Sequence, residues 1–154
     1  MSARAASRLV SLGFSEVFHY GAGKQDWFAY GLPREGQETH TTWAVDVLLR
    51  DVPTCHLGDL TGEVRARLPA GWTKCVVVSN EGVVLGLLDE RGLESGPERA
   101  VEQVMEAGPR TFRPNVSQQR VSQYMDDRGT DMALITSPDG KLMGVLRLEE
   151  VKGR

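Results

Sequence analysis

The sequence predicts an α/β protein in which two copies of one α-β-α-β-β-α unit pack together about a pseudo-two-fold axis. The first observation is an internal repeat, in which residues 44–95 align with residues 100–151 apart from small insertions. The second is a returning strand in each copy that carries a glycine at the same place, Gly86 or Gly144. A repeated unit that cannot bury its apolar face alone packs on its neighbour. We therefore expect function in the groove between the copies.

The segment before the repeat, residues 1–36, predicts a short helix-strand-helix. Residues 2–12 place apolar side chains on one helical stripe, and residues 26–30 have the pattern of a second, shorter helix. Between them, residues 16–20 have the pattern of a strand. Residues 37–43 are mostly polar and predict a linker to the repeat.

Each copy then shows the same elements in the same order. A short helix leads to an extended stretch, and an amphipathic helix precedes two strands joined by a tight turn. The turns are Asn80-Glu81-Gly82 and Pro138-Asp139-Gly140, where glycine adopts the positive φ that a tight turn needs. A final helix begins near Glu90 or Leu148. The glycine within each returning strand predicts a close approach of backbone or ligand. The other expected helices lie at 45–49, 60–68, 101–105 and 117–126.

Composition excludes several classes of protein. The net charge of −3 over 154 residues argues against nucleic-acid binding, which usually requires a basic face. No apolar run is long enough to span a membrane, and Met1–Arg4 does not begin a secretory signal, so we expect a cytoplasmic protein. Cys55 and Cys75 are too few for a disulfide framework. They predict buried free thiols, with a redox switch between them as the alternative.

The repeated pattern resembles the cystathionine-β-synthase (CBS) domain. The resemblance rests on Asp-Val-x-x-x-Asp-Val-x-Thr, a helix, a Val-rich strand and a turn before a strand with a central glycine. It covers residues 44–95 and again residues 100–151. Pairs of such domains form disc-shaped modules that often dimerise, and their clefts commonly bind AMP, ADP, ATP or S-adenosylmethionine. The resemblance therefore implies a non-catalytic regulatory module, a homodimer that acts on a protein partner not identified by the sequence.

The family places a hydroxyl residue and an acid after the strand glycine, in the pattern Gly-h-h-[Ser/Thr]-x-x-Asp, to contact phosphate and ribose. The first copy departs from this pattern, because Asp89 stands at the hydroxyl position and Gly92 at the position of the acid. A carboxylate at Asp89 would repel phosphate. We therefore expect a degenerate site there, bordered by Thr54 and Cys55.

The second copy keeps the better candidate site. The resemblance implies that Arg147 binds phosphate through its guanidinium and that Glu150 binds the ribose hydroxyls. Thr111, Phe112 and Met132 would border the adenine, with Phe112 as a stacking face. In the alternative, Arg147 and Glu150 form a solvated pair that contributes little. The protein is then a purely structural dimerisation module without a ligand.

Residues 1–36 carry a second resemblance, to the closing third of a rhodanese domain. It rests on the run from Ser2 to Tyr20, with Gly13-Phe14 at its centre, and on Gly31-Leu32-Pro33. That family places a persulfide-forming cysteine in the loop before this helix, but no cysteine precedes Cys55 here. The resemblance implies a remnant with a structural role, and a truncated sulfurtransferase is the alternative.

Overall fold

The computed structural model of the protein describes residues 3–33 and 41–149. Its helices are α1 (Ala3–Ser11), α2 (Gly23–Ala29), α3 (Thr61–Arg67), α4 (Glu90–Glu94), α5 (Val101–Val104) and α6 (Gln118–Arg128). Its strands are β1 (Thr54–Cys55), β2 (Cys75–Val78), β3 (Val84–Leu88), β4 (Glu106–Ala107), β5 (Thr111–Phe112), β6 (Met132–Thr136) and β7 (Leu142–Arg147). One turn of 3₁₀ helix, Ala44–Val47, precedes β1. The helix predicted near Leu148 falls mostly outside the described residues.

The strands form two small mixed sheets, one in each repeat. The first has the order β1-β2-β3-β4 and the second the order β5-β6-β7. In both, a short first strand runs parallel to the middle strand, and the hairpin partner runs antiparallel to it. The crossover helix, α3 or α6, lies between the two parallel strands in sequence. The shared topology confirms the predicted α/β class and the equivalence of the two copies.

A pseudo-two-fold axis passes between the two hairpins. The Val84 N–H donates to the Gly140 carbonyl at 3.0 Å, and the Leu142 N–H donates to the Gly82 carbonyl at 2.9 Å. Gly82 and Gly140 occupy the same position in the two turns, so the two hydrogen bonds are images of each other. The repeats are therefore joined at their hairpins by a symmetric pair of backbone contacts.

An apolar seam joins the faces of the two sheets. Val76 and Val78 of β2 meet Leu134 of β6 and Val145 of β7, and all four side chains are buried. The alternate residues of β2, including Val77, point instead into the core of repeat 1. A strand buried on both faces requires the continuous β-branched run that this segment shows. The predicted face-to-face packing is confirmed.

The leading segment of each repeat packs on the other repeat. Ala44 is buried in the core of repeat 2, beside α6 and β6, while Val101 is buried in the core of repeat 1. Leu49 exchanges two backbone hydrogen bonds of 2.9 Å with Val145 of β7, and β4 correspondingly pairs with β3. Because each half borrows a segment from the other, the two sequence repeats depend on each other for folding.

The recurrent strand glycines lie where these exchanged segments cross. A Cβ atom at Gly144 would overlap the Leu49 carbonyl oxygen, and one at Gly86 would overlap the Met105 sulfur. Each glycine therefore admits the chain of the other repeat at close range. The close approach predicted at these glycines is therefore made by another segment of the same chain, and not by a ligand.

The N-terminal segment contributes least to the core. No residue of α1 or α2 is buried, and Phe18 is 85% exposed. Residues 16–20 form no strand, so the prediction of a helix-strand-helix is wrong at its middle element: neither sheet pairs with them. The segment reaches repeat 2 at Gly31, where an added Cβ would lie 2.8 Å from Val45 and 3.1 Å from Met143.

Candidate functional site

An open cleft of about 190 Å³ lies between the two repeats. Leu87 of β3 lines it from repeat 1, and Met132 and Leu134 of β6 line it from repeat 2. These side chains also pack on the apolar seam between the sheets. The sheet packing that holds the fold together therefore also provides an apolar floor for the cleft.

The rim of the cleft is charged. Among the described residues that line it, Arg110 and Arg128 are basic and Glu106 is acidic. The Arg110 guanidinium carbon lies 4.7 Å from the centre of the Tyr124 ring and 5.3 Å from that of Phe112. Stacking on aromatic rings orders a guanidinium while its N–H groups remain able to donate. With two cations against one anion, the rim favours an anionic ligand.

The register of β4 fixes the face on which Glu106 lies. β4 runs antiparallel to β3, with Glu106 directly opposite Leu87. Residues directly opposite each other in an antiparallel pair project from the same face of the sheet. Because Leu87 lines the cleft floor, Glu106 stands at the edge of the same cleft, on an exposed strand that follows α5 at the start of repeat 2.

Of the residues predicted for the second-copy site, Met132 lines this cleft. Thr111 lies on the adjacent strand β5, paired with Leu134. Phe112 is 8% exposed and packs edge-on against Tyr124 within the core of repeat 2, with ring centres 5.0 Å apart. A ring buried in this way does not offer an open stacking face, so the structure does not support that role for Phe112.

Arg147 contacts repeat 1. Its guanidinium carbon lies 5.2 Å from the centre of the Trp72 ring, and Nη2 donates to the Gly71 carbonyl at 3.2 Å. The same nitrogen lies 2.9 Å from a carboxylate oxygen of Glu149. These contacts make Arg147 a bridge between the repeats. Glu150, its predicted companion, lies outside the described residues.

The residues of the predicted degenerate site lie in different surroundings. The Asp89 carboxylate accepts the Gly92 N–H at 2.9 Å and so caps the start of α4. Thr54 is exposed and lines a smaller cavity of about 130 Å³, whose walls include Val64, Leu68 and Pro53. That cavity lies beside β1 as the charged cleft lies beside β5, and the charged residue of its lining is Arg67, which pairs with Asp59.

Cys55 and Cys75 lie together in the core of repeat 1 as buried free thiols. A hydrogen bond between the two thiols lowers the pKa of Cys55 and, together with burial, raises the pKa of Cys75. Each side chain is 1% exposed. The prediction of buried free thiols is confirmed, and neither sulfur reaches the surface position that sulfur transfer would need.

Most of the residues at this cleft were not predicted as site residues from the sequence. Arg110 directly precedes Thr111, and Tyr124 and Arg128 are spaced i, i+4 on one face of α6, a pattern that was available in the sequence. Glu106 had no such signal. It enters the cleft because β4 crosses to the sheet of repeat 1, and the linear sequence does not encode that crossing visibly.

Two features are absent from the described residues. In the part of the chain that the structure describes, no helix has the length and apolar character needed to cross a membrane. The same ranges contain no group of three or more His, Cys, Asp or Glu side chains arranged to hold a metal ion.

No protein-family model matches the chain, and no curated protein matches it. Solved structures do match. The cytosolic domain of the Mg2+ channel MgtE in complex with ATP is 20% identical, with a TM-score of 0.67, over 73% of this chain and 48% of that one. The chain thus spans about half the length of that structure.

Two further solved structures match along nearly their whole length. The CBS domain pair of protein MJ0100, in complex with 5′-methylthioadenosine and S-adenosyl-L-methionine, is 14% identical, with a TM-score of 0.65, over 73% of this chain and 94% of that one. The CBS-domain containing protein ATU1752 from Agrobacterium tumefaciens is 22% identical, with a TM-score of 0.63, over 78% and 98%. At these identities the likeness shows the fold, that of a CBS domain pair. It gives no support to the rhodanese resemblance of residues 1–36.

Proposed function

We propose that this protein is a non-catalytic regulatory module of the CBS-pair type that binds an adenine nucleotide in the charged cleft. One observation carries the proposal: an apolar floor at Leu87 and Met132 lies beneath two guanidinium groups at a groove shared by both repeats. A purine base requires a flat apolar surface, and phosphate oxygens are bound well by the planar donors of arginine. Arg110 and Arg128 are the phosphate partners in this proposal.

The shape and charge of the cleft rank the candidate ligands. Ligand pockets commonly measure about 300–1,000 Å³, so a cleft of about 190 Å³ encloses only part of a nucleotide. The base occupies the floor, and the phosphates extend to the rim. S-adenosylmethionine carries a cationic sulfonium that two nearby guanidinium groups disfavour. We therefore rank AMP, ADP and ATP above S-adenosylmethionine.

The regulatory step follows from the position of the cleft between repeats. A ligand there contacts Leu87 and Glu106 on one side and Arg110 and Met132 on the other. Its binding free energy therefore favours one relative arrangement of the repeats over others. A protein partner that binds that arrangement more tightly would sense the ligand through the same coupling free energy.

Thermal unfolding with each nucleotide tests the proposal. Ligand that binds only the folded state adds about 2.7 kcal/mol of stability at 100 times Kd, so Tm rises with concentration. We expect the rise for at least one of AMP, ADP and ATP, and its loss in Arg110→Gln and Arg128→Gln. Arg120→Gln, an exposed arginine on the same helix α6 outside the cleft, is the matched control. No rise with any adenine nucleotide contradicts the proposal.

A purely structural dimerisation module is the second candidate function. Among the described residues, the exposed large apolar side chains all lie within residues 10–18. They are Val10, Leu12, Phe14 and Phe18. They supply on the order of 400 Å² per copy, about half of what one partner buries in a standard interface. Neighbouring residues of the same segment would supply the rest when two copies meet through this face.

Sedimentation of the full chain tests this second candidate. A dimer that becomes monomeric in the double variant Phe14→Ser, Phe18→Ser, together with no nucleotide response, supports the structural module. A monomer across the micromolar range contradicts it. A truncated sulfurtransferase is not favoured by any contact, since both thiols are buried in repeat 1.

A further inference from the structure

We infer that Glu106 supplies the carboxylate that binds the ribose hydroxyls in the charged cleft, so that the site selects ribonucleotides over 2′-deoxyribonucleotides. The inference rests on the proposed function and identifies a specificity residue within it. It places the acid on the exchanged strand β4 instead of on helix α4.

The first step is that α4 has no room for an acid at the position where the resemblance expects one. In the family pattern that position is Gly92 of the first copy, which is buried, and the structure brings it beside the charged cleft, because Glu106 lines both the cleft and the groove that holds Gly92. Glu150, the acid that the resemblance gives to the second copy, lies outside the described residues. An added Cβ would lie 2.6 Å from a methyl carbon of Leu88 and 3.1 Å from the Val104 carbonyl oxygen. The Gly92 N–H is also engaged by the Asp89 carboxylate at 2.9 Å. A side chain there would have to displace the Leu88 methyl group and press on a backbone oxygen, so α4 is a poor source of a ribose-binding carboxylate.

The second step is that Glu106 stands beside this closed position. It lines the charged cleft together with Leu87, and it also lines an adjoining open groove together with Gly92 and Met105. The register of β3 and β4 holds it directly opposite Leu87, two residues before the α4 cap at Asp89. Glu106 thus lies where the cleft meets the start of α4. Among the described residues that line the cleft, Glu106 is the one with an acidic side chain.

The third step is that the acid is specific to this cleft. Leu49 crosses β7 at Val145 as Glu106 crosses β3 at Leu87. The exchanged strand therefore carries an apolar residue on one side of the pseudo-two-fold axis and a carboxylate on the other. A carboxylate accepts two hydrogen bonds from a vicinal diol, and beside two arginines it separates the diol end of a nucleotide from the phosphate end.

Calorimetric titration of the full chain with AMP, ADP and ATP, each compared with its 2′-deoxy form, tests the inference. A hydrogen bond to a charged group corresponds to about a tenfold preference or more for the ribonucleotide in the wild-type chain. Glu106→Gln keeps the backbone pairing of β4 and leaves only a neutral acceptor, so it should reduce that preference by about fivefold. Glu102→Gln, an exposed acid of α5 outside the cleft, should leave it unchanged.

The outcomes separate the two proposals. Equal binding of ribo and deoxy forms by the wild-type chain overturns the role of Glu106 without needing any variant. A ribonucleotide preference that is unreduced in Glu106→Gln overturns it as well. Failure to bind any adenine nucleotide overturns both the proposed function and this inference, whereas binding without discrimination overturns the inference alone.

Discussion

The two clefts occupy equivalent places around the pseudo-two-fold axis and have different chemistry. Thr54 and Thr111 begin equivalent strands, yet Pro53 precedes the first and Arg110 the second. The residue that crosses the hairpin strand is Leu49 on one side and Glu106 on the other. The lining of the first cleft holds one charged residue, Arg67, whereas that of the second holds Arg110, Arg128 and Glu106. The difference shows that a shared backbone restricts the residue types in the apolar seam much more than those at the rim of a cleft.

The hairpin ends show the opposite relation, in which unlike residues have the same role. In repeat 1, His56 Nδ1 lies 3.0 Å from the Val78 carbonyl oxygen. In repeat 2, Arg113 occupies the matching position and donates to the Thr136 hydroxyl at 2.9 Å and to the Ser137 carbonyl. Both side chains hold the end of a middle strand to the segment after the first strand. A structural role can therefore persist through a change of residue type.

The largest expected asymmetry lies at the two strand glycines. Gly144→Ala should destabilise the fold by about 3 kcal/mol, because the new Cβ meets the Leu49 carbonyl oxygen and φ is +150°. Gly86→Ala should cost about 1 kcal/mol, since its first obstacle is the flexible Met105 side chain. Urea unfolding of both variants measures the difference. Equal losses would show that the exchanged segments press equally on both hairpins.

A smaller asymmetry is expected at the hairpin ends. Arg113→Ala should cost about 2 kcal/mol, because it leaves carbonyl groups of the partly buried hairpin without their charged donor. His56→Ala removes one hydrogen bond of an exposed side chain and should cost about 1 kcal/mol or less. Thermal unfolding of the two variants compares them. A larger loss at His56 would reverse the ranking of the two contacts.

The smallest expected effect is a shared one, at the two hairpin turns. Hydrogen bonds from Ser79 and Ser137 lower the pKa of Glu81 and Asp139, respectively. A lowered folded-state pKa gives stability that is complete above the unfolded values of 4.5 and 3.8 and is lost as pH falls through the folded-state values. The double variant Glu81→Gln, Asp139→Asn should therefore have a lower Tm than wild type at pH 7. The two Tm values should converge near pH 2.

Constancy of that Tm difference between pH 7 and pH 2 would mean that the acids act through turn geometry and not through charge. The control is Glu63→Gln on the exposed face of α3, which should leave the pH dependence of Tm unchanged. Both repeats carry the same serine-acid turn, so single variants should each give part of the effect. This prediction tests a feature that the two halves share.

Much of the fold was predictable because its signals are local. The two turn sequences ending in Gly82 and Gly140, and the β-branched run of β2, specify hairpins and a doubly buried strand without reference to distant residues. The strand predicted at residues 16–20 does not form, because a strand needs a partner and neither sheet pairs with this segment. The site was predicted less well for a related reason. Met132 lines the cleft, and its role toward a ligand stays a prediction, whereas Phe112, expected at an open surface, lies in the core.

From the sequence alone we could predict the duplication, the order of helices and strands in each copy and the positions of the glycines that the hairpins require. These follow from short-range periodicity and turn chemistry. Only the tertiary structure decided which segments are exchanged between the halves, and with that the meeting of Leu87, Glu106 and Arg110 in one cleft. The physical reason is that each half buries its apolar surface only by accepting a segment of the other, and that long-range packing selects the residues that meet at the cleft.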